Sequence, residues 1–271
     1  MEGGPNVSND QNGAERFRRL TLGHQFAHES SLLAQRLRDS VIAELQKDFY
    51  RVAVFGGHMV ARESASYSAA LEMARLLGEE SIDALYGGGP GVMEAVPSGI
   101  GQSGGSSIAI SVSMGFVDQE NTELHNLEFS SANYGERLDW FYGLAADCVC
   151  LDGGFGTDLE GSYFLQISQK ALLAHNRHNG SAECGAPGRE FLYTANPWVA
   201  LGHIPKVVYV GQMWEPQRVQ LEAFVTAGTI RPEDAELAVF VDNPQAALEV
   251  LQSRRLEWRE KVVASGRVPR N

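Results

Sequence analysis

The sequence predicts an α/β protein, a Rossmann-like doubly wound parallel sheet with helices on both faces. Short apolar runs that are typical of buried strands alternate with segments whose apolar residues recur at helical spacing. Two of these runs end in glycine loops, Gly87–Gly91 and Gly153–Gly156, as strands do where they lead into a helix. Strands that alternate with helices in this way form a parallel sheet with right-handed crossovers.

Five short segments are predicted to be strands, because each is apolar and is bounded by turn signals or a helical pattern. In chain order they are Tyr50–Gly57, which ends in glycines, Ile82–Tyr86, Ser107–Val112, Asp147–Leu151 and Lys206–Val210. Cys148 and Cys150 alternate along the fourth strand, so both are expected to be small core residues on one face. With Cys184 they are too few for a disulfide framework.

Helices are predicted where apolar residues recur at helical spacing. The segments with this pattern are Ser31–Lys47, Tyr67–Leu77, Met93–Gly99, Ala132–Ala146, Leu159–Ala174, Gln217–Ala227 and Asn243–Val262. An apolar run at Leu237–Phe240 precedes the last of them and carries no motif. We expect the C-terminal part of the chain to cover an edge of the sheet.

The chain is expected to form a single domain over residues 31–271, preceded by a flexible tail over residues 1–30. The first residues, Met1 to Ala14, are rich in Gly, Asn, Asp and Ser and show no periodicity. The glycine-containing segment His175–Arg189 is predicted to be an irregular excursion that could act as a lid. His175 and His178 lack cysteine or carboxylate companions at ligand spacing, so no metal site is predicted.

The net charge of −12 argues against nucleic acid or an anionic membrane as a partner, because a phosphate backbone would be repelled by the average surface. No apolar run approaches the ~18 residues of a membrane span. The first residues also lack the basic and apolar regions of a secretion signal. We therefore expect a cytoplasmic protein that captures a small anion locally.

The two glycine loops predict where that anion binds. A strand that ends in glycines and opens a helix directs backbone N–H groups, and the positive end of the helix dipole, at one place. Two such loops in a parallel sheet would face each other across the crevice at the carboxyl edge, where open α/β sheets bind ligands. The pair therefore predicts a phosphate-binding site.

The second loop has two interpretations. In the first, Thr157 is the N-cap of the helix and Glu160 reaches back to it as a capping box. In the second, the N–H groups of Gly154 to Thr157 hold phosphate oxygens, and Glu160 lies one turn into the helix beside the rest of the ligand. The two interpretations can hold together in part.

A dinucleotide-dependent oxidoreductase is a third class of function that the fold allows. The glycine fingerprint of dinucleotide-binding proteins, started at Gly87, would need glycine or alanine where Val92 stands. No acidic residue clearly follows the second strand either. Both observations count against this class.

With both loops considered, the chain resembles the Lonely Guy (LOG) family, also known as lysine decarboxylase-like proteins. Gly87–Ala95 matches the family motif G-G-G-P-G-I-M-E-A with one conservative change, and Asp152–Glu160 matches P-G-G-x-G-T-x-x-E except at its first position. Ser107–Ile110 and Asp118–Asn121 are similar to two further stretches of the family. The resemblance extends from about Val52 to Gly211.

The resemblance implies a phosphoribohydrolase, which splits a nucleoside 5′-monophosphate, such as a cytokinin riboside 5′-monophosphate, into a free base and ribose 5-phosphate. It implies that Arg137, fifteen residues before Asp152, and Glu160 are the catalytic residues. Without the resemblance, Arg137 would be interpreted as a solvated helix residue. The resemblance also implies a homodimer, and the hydrolysis requires no cofactor.

The remaining candidate residues belong to the two glycine motifs and are expected to bind the substrate. They are Gly87, Gly88, Gly89, Gly91, Met93, Glu94, Asp152, Gly153, Gly154, Gly156 and Thr157.

The chain departs from the family pattern at four places. Asp152 replaces a proline, Leu138 replaces a lysine, Pro97 replaces an asparagine, and Gly57–His58 stand where Gly-Ser types are usual. An ionised Asp152 near a phosphate would cost roughly 1–3 kcal/mol unless it were paired. These departures leave open a second hypothesis, a LOG-like nucleotide-binding or sensing protein without catalysis.

Overall fold

The computed structural model of the chain describes residues 47–112, 127–131, 133–177 and 196–270. Within these ranges, parallel strands form one sheet of seven in the order β4-β3-β2-β1-β5-β6-β7. The strands are β1 (Arg51–Phe55), β2 (Asp83–Tyr86), β3 (Ser107–Val112), β4 (Leu127–Ser131), β5 (Asp147–Cys150), β6 (Val207–Val210) and β7 (Ala238–Val241).

Helices connect the strands and follow them in alternation. They are α1 (Ala65–Glu79), α2 (Val92–Ser103), α3 (Tyr134–Leu144), α4 (Phe155–Arg177), the short α5 (Pro197–Ala200), α6 (Glu215–Thr226), the short α7 (Pro232–Ala235) and α8 (Pro244–Ala264). A 3₁₀ turn, Gln212–Trp214, precedes α6. The predicted tail, nearly all of the predicted first helix, the Asp118–Asn121 stretch, His178 and Cys184 lie outside the described residues.

The sheet buries both of its faces, as a doubly wound fold requires. One hydrophobic cluster contains Met73 of α1, Ile100 of α2 and Trp258 of α8. The other contains Phe141 of α3 and Phe164 of α4. The predicted Rossmann-like α/β fold is therefore confirmed, including the helices on both faces.

The strand order reverses between β1 and β5, which lie side by side in the middle of the sheet. The chain leaves β1 through α1 on one face, and it leaves β5 through α4 on the other. Such a switch point opens a crevice at the carboxyl ends of the two strands, and ligands of open α/β sheets bind there.

The edge strands are the part of the sheet that the sequence pattern predicted least well. β4 was not predicted, because it is short and its serines and glutamate do not form an apolar run. β7 was recognised only as an apolar run, and all four of its residues are half-buried. Edge strands bury less side-chain surface than central strands, so hydrophobic periodicity indicates them weakly.

Helix α4 begins and ends beyond its predicted bounds. It starts at Phe155, and the pattern missed this first turn because all of its residues except Thr157 are exposed and add no apolar periodicity before Leu159. At its other end it continues to Arg177, so the prediction of irregular structure from His175 is wrong for residues 175–177. Residues 178–195 of that predicted excursion lie outside the described part of the chain.

Candidate functional site

Three loops meet at the switch point, those that follow β1, β2 and β5. The amide of Gly57 donates to the carbonyl of Asp152 at 2.9 Å, and the amide of Val92 donates to the carbonyl of Gly57 at 3.1 Å. Gly91 has φ 69°, and a Cβ on it would lie 2.4 Å from the Gly57 oxygen. Only glycine fits there, so the first glycine motif locks the β2 loop against the β1 loop.

Arg137 is buried in α3, with 7% of its surface exposed. Its Nε donates to the carbonyl of Ile110 at 2.9 Å, and its Nη2 donates to the carbonyl of Gly87 at 3.2 Å. The guanidinium also lies over the ring of Phe141, 5.4 Å from the centroid. These contacts fix the side chain at the ends of β2 and β3, and they exclude the interpretation of Arg137 as a solvated helix residue.

Glu160 projects from the second turn of α4 towards Arg137, and the structure brings the two predicted catalytic residues together. The Nη2 of Arg137 and the Oε1 of Glu160 are 4.0 Å apart, and the glutamate side chain is 14% exposed. Burial raises the pKa of Glu160 to about 7, although the neighbouring Arg137 lowers it. Desolvation of the buried carboxylate therefore outweighs the charge of Arg137.

Gly87 and Gly89 are glycines because Met93 and Arg137 occupy the space beside them. A Cβ on Gly87 would lie 2.0 Å from the Nη2 of Arg137 and 2.5 Å from the sulfur of Met93. A Cβ on Gly89 would lie 2.7 Å from the methyl carbon of Met93. Gly88 has φ 78° and faces Ser111 on β3. The first motif therefore forms the wall that holds Arg137.

The second glycine motif presents an open backbone. A Cβ on Gly154 or on Gly156 would meet no atom of the described residues within 4 Å, and the intervening Phe155 is 97% exposed. The inner side of the loop is closed, since a Cβ on Gly153 would lie 2.0 Å from the hydroxyl of Thr157. Thr157 is buried in the first turn of a helix that begins at Phe155. It is therefore not the N-cap, and the capping-box interpretation is wrong.

Two candidate carboxylates have partners that the sequence pattern did not reveal. Arg62, in the loop after β1, forms an ion pair with both oxygens of Glu94 in the first turn of α2. The hydroxyl of Ser66, in the first turn of α1, donates to Oδ2 of Asp152 at 2.6 Å. Arg62 and Ser66 belong to no motif, and each is 32 or more positions from its partner, so only the fold brings the pairs together.

Packing explains one of the departures from the family pattern. Leu138 is 7% exposed, so the lysine of the pattern would be buried at this position. Pro97 is buried inside α2, where a proline removes a backbone hydrogen bond of the helix, and nothing in the structure explains this departure. His58 follows Gly57, and its carbonyl would lie 2.8 Å from a Cβ on Gly91. The fourth departure, Asp152, has Ser66 as its hydrogen-bond donor.

Within the described ranges, no three His, Cys, Asp or Glu side chains are grouped in a way that could hold a metal ion. Among the helices of those same ranges, none combines the length and the apolar character needed to cross a membrane.

Three solved structures are among those similar to the chain. The molybdenum cofactor carrier protein of Chlamydomonas reinhardtii covers 77% of this chain and 99% of its own, with 15% identity and a TM-score of 0.48. The molybdenum cofactor binding protein of Rippkaea orientalis covers 77% of this chain and 97% of its own, with 15% identity and a TM-score of 0.46. DNA processing protein A of Streptococcus pneumoniae covers 76% of this chain and 62% of its own, with 13% identity and a TM-score of 0.41. Similarity at this level carries no inference about a ligand of this chain.

No curated protein matches the chain. The sequence model of the SLOG cluster4 family, by contrast, matches residues 49–187, which is just over half of the chain. The match spans both glycine motifs, Arg137 and Glu160. The chain therefore belongs to the SLOG cluster4 family.

Proposed function

We propose that the chain is a nucleoside 5′-monophosphate phosphoribohydrolase, which hydrolyses the N-glycosidic bond of its substrate to a free base and ribose 5-phosphate. The observation that carries the proposal is the pairing of Arg137 with Glu160, 4.0 Å apart, beside an open glycine loop. The resemblance of both glycine motifs to the LOG family supports the same reaction.

The substrate phosphate binds at the start of α4. The loop from Gly154 to Thr157 leads directly into this helix, and among the described residues no side chain covers Gly154 or Gly156. Backbone N–H groups of a first helical turn have no partner in their own helix, and the helix dipole favours an anion there. A phosphate at this position places the attached ribose next to the second turn, which carries Glu160.

Glu160 acts on the sugar ring. Cleavage of the glycosidic bond builds positive charge on the ring, and an ionised carboxylate beside it stabilises that transition state more than the neutral ground state. Water adds to the anomeric carbon, the bonding electrons leave with the base, and the base takes up a proton. The ionised carboxylate also accepts the proton of the attacking water.

Arg137 positions the reacting groups. Its hydrogen bonds to the carbonyls of Ile110 and Gly87 hold the guanidinium rigidly between the first glycine motif and Glu160. From there it can donate to a ribose hydroxyl or to the phosphate, and its charge favours the ionised form of Glu160. The other members of the two motifs shape the walls for base and sugar.

A binding or sensing protein without turnover is the second candidate. Asp152 favours it, because this carboxylate immediately precedes the loop assigned to phosphate and its hydrogen-bond donor, Ser66, is neutral. The pKa of Glu160 near 7 also leaves a large fraction of this side chain protonated at neutral pH. Under this hypothesis nucleotides bind and are released unchanged.

The protein acts on a small-molecule nucleotide as a homodimer, without nucleic acid, membrane or cofactor. Its charge of −12 disfavours polyanionic partners. The homodimer follows from the LOG resemblance, and the exposed apolar side chains Phe155 and Leu159 at the start of α4 offer a surface for it. Light scattering after size exclusion measures the mass, and a monomer at every concentration would rule the dimer out.

The reaction is tested by incubating the purified protein with a panel of ribonucleoside and deoxyribonucleoside monophosphates, including an N6-prenylated AMP. Released base and ribose 5-phosphate are separated by chromatography. Release that is lost in Glu160→Ala and retained in the exposed control Glu249→Ala supports the proposal. Saturable binding without release from any nucleotide would replace it with the sensing function.

A further inference from the structure

Two helices direct their N-termini at the crevice of the switch point. Among the described residues, the N-terminus of α4 is open, whereas that of α1 is filled by side chains of the protein. α1 follows β1 and α4 follows β5, the neighbouring strands at which the order reverses. Each N-terminus could hold an anionic group, because each combines free N–H groups with the positive end of a helix dipole. The loop before α4 is open at Gly154 and Gly156.

The N-terminus of α1 is already occupied by the protein's own groups. The side chain of Ser64 caps the helix and accepts the amide of Tyr67 at 3.1 Å. The carboxylate of Asp152 lies against the first turn, where the hydroxyl of Ser66 donates to its Oδ2 at 2.6 Å. A carboxylate at this end of a helix is stabilised by the dipole.

Asp152 is held there from its other side as well. Its carbonyl accepts the amide of Gly57 at 2.9 Å, which fixes the backbone. Its Oδ1 lies 3.5 Å from the place that a Cβ would take on Gly211, a glycine with φ 97°. The carboxylate therefore fills the space between α1 and the end of β6.

We propose that Asp152 is a specificity-determining residue, which makes the site accept one phosphate group, at α4, and reject ligands that would place a second anionic group at α1. Nucleoside diphosphates and dinucleotides carry such a second group. A second anionic group at α1 would lie beside the carboxylate of Asp152, and their repulsion would be only weakly screened because the low-dielectric walls of a crevice hold back solvent and salt. The inference rests on the proposed function for the phosphate at α4, and it names the residue that restricts the substrate to monophosphates.

The test compares the dissociation constants of AMP and ADP by calorimetry in the wild type, in Asp152→Asn and in Glu249→Gln. Glu249 is an exposed carboxylate in the second turn of α8, so its replacement changes the net charge equally without freeing α1 or altering the first turn of α4. We expect the ratio of the ADP constant to the AMP constant to fall about tenfold or more in Asp152→Asn. It should stay within about twofold of the wild-type ratio in the control. Ser66→Ala, which removes only the donor, should lower the ratio less.

An unchanged ratio in a folded Asp152→Asn protein, or an equal fall in both variants, would overturn the inference, as would absence of AMP binding. Thermal melting establishes that each variant is folded. The selectivity of binding and the hydrolysis are measured independently of each other. Binding constants that shift as expected without any release of base would leave the selectivity standing and remove the hydrolase.

Discussion

The guanidinium of Arg137 lies 4.0 Å from the carboxylate of Glu160, and the two side chains come from helices on the same face of the sheet. Two opposing influences set the pKa of Glu160. Burial raises its pKa and Arg137 lowers it, and burial prevails, so that the pKa is about 7. The carboxylate is therefore poised to gain or lose a proton close to neutral pH, which is where a general base works best.

The pH dependence of the reaction should follow Glu160. Because the proposed chemistry needs the ionised carboxylate, kcat/KM is expected to rise with pH and to level off above about 7. The measurement is base release across pH 5 to 9. The substrate phosphate also titrates, near about pH 6, so its separately measured ionisation is included in the fit. A rate that falls as pH rises through 7 would instead assign Glu160 as a general acid.

Replacing Arg137 by lysine should slow the reaction and move its pH profile. Lysine keeps the charge but cannot donate to both Ile110 and Gly87 in the fixed geometry of a guanidinium. Glu160 would lose part of the influence that lowers its pKa, so the apparent pKa of the profile is expected to rise. We expect kcat to fall by about tenfold to a thousandfold. Arg75→Lys, on the surface of α1, is the matched control, and an unshifted profile in Arg137→Lys would contradict the coupling.

The sequence predicts the central strands and the glycine motifs well, because these are continuous in the chain. The strand around Cys148 and Cys150 is buried as its apolar run predicts. Contacts between distant segments leave no local signal. Neither the ion pair of Arg62 with Glu94 nor the hydrogen bond of Ser66 with Asp152 could be predicted, since each depends on how the loops after β1, β2 and β5 meet.

Gly87→Ala and Gly154→Ala should differ in effect although both add one methyl group. The new Cβ at position 87 would lie 2.0 Å from the Nη2 of Arg137, so the guanidinium must move and activity should fall by about tenfold or more. At position 154 the new Cβ meets nothing within 4 Å in the part of the chain that the structure describes, so the melting temperature should stay unchanged. KM should nevertheless rise, because the methyl group narrows the approach of a phosphate to the loop.

Gly101→Ala, within α2 and equally free of neighbours, controls for the added methyl group. Kinetic constants and melting temperatures of the three variants show whether the methyl group at position 87 displaces Arg137 and whether the one at position 154 obstructs the phosphate. A normal KM in a stable Gly154→Ala protein would show that the ligand does not approach this loop.

Glu160→Gln should become more stable than the wild type as pH rises, because only the wild type loses stability with pH at this position. The folded-state pKa is about 7 against an ordinary value of 4.5, so the folded protein binds the proton more tightly than the unfolded chain. The wild type therefore loses stability between pH 4.5 and 7, by up to about 3 kcal/mol, and the glutamine variant does not. Urea denaturation at pH 4.5 and pH 8 measures this, with exposed Glu249→Gln as the control. A difference between variant and wild type that is equal at both pH values would contradict a raised pKa.

Asp147 is expected to stabilise the fold without contributing to the site. It is the first residue of β5 and is fully buried. It therefore lies at the amino-terminal ends of the parallel strands, whereas Glu160 lies beyond their carboxyl ends. Its carboxylate accepts from the Tyr50 hydroxyl and the Lys206 amide, each at 2.8 Å, and from Arg254. Burial raises the pKa of this carboxyl, but the charge of Arg254, the neighbouring His203 and the hydrogen bond from the Lys206 amide outweigh burial and lower the pKa to about 2.

Asp147→Asn would remove the buried counter-charge of Arg254 and leave its guanidinium paired with the exposed Glu257, at a cost of about 3 kcal/mol in the free energy of unfolding. Because the folded-state pKa is depressed, the stabilisation is fully present above pH 3.8 and is lost as pH falls through about 2. The wild type should therefore lose its advantage over the variant in acid. Glu215→Gln, which breaks an exposed ion pair with Arg218, should leave the urea midpoint nearly unchanged. Nucleotide binding by folded Asp147→Asn should equal that of the wild type, and weaker binding would show that this cluster reaches the crevice.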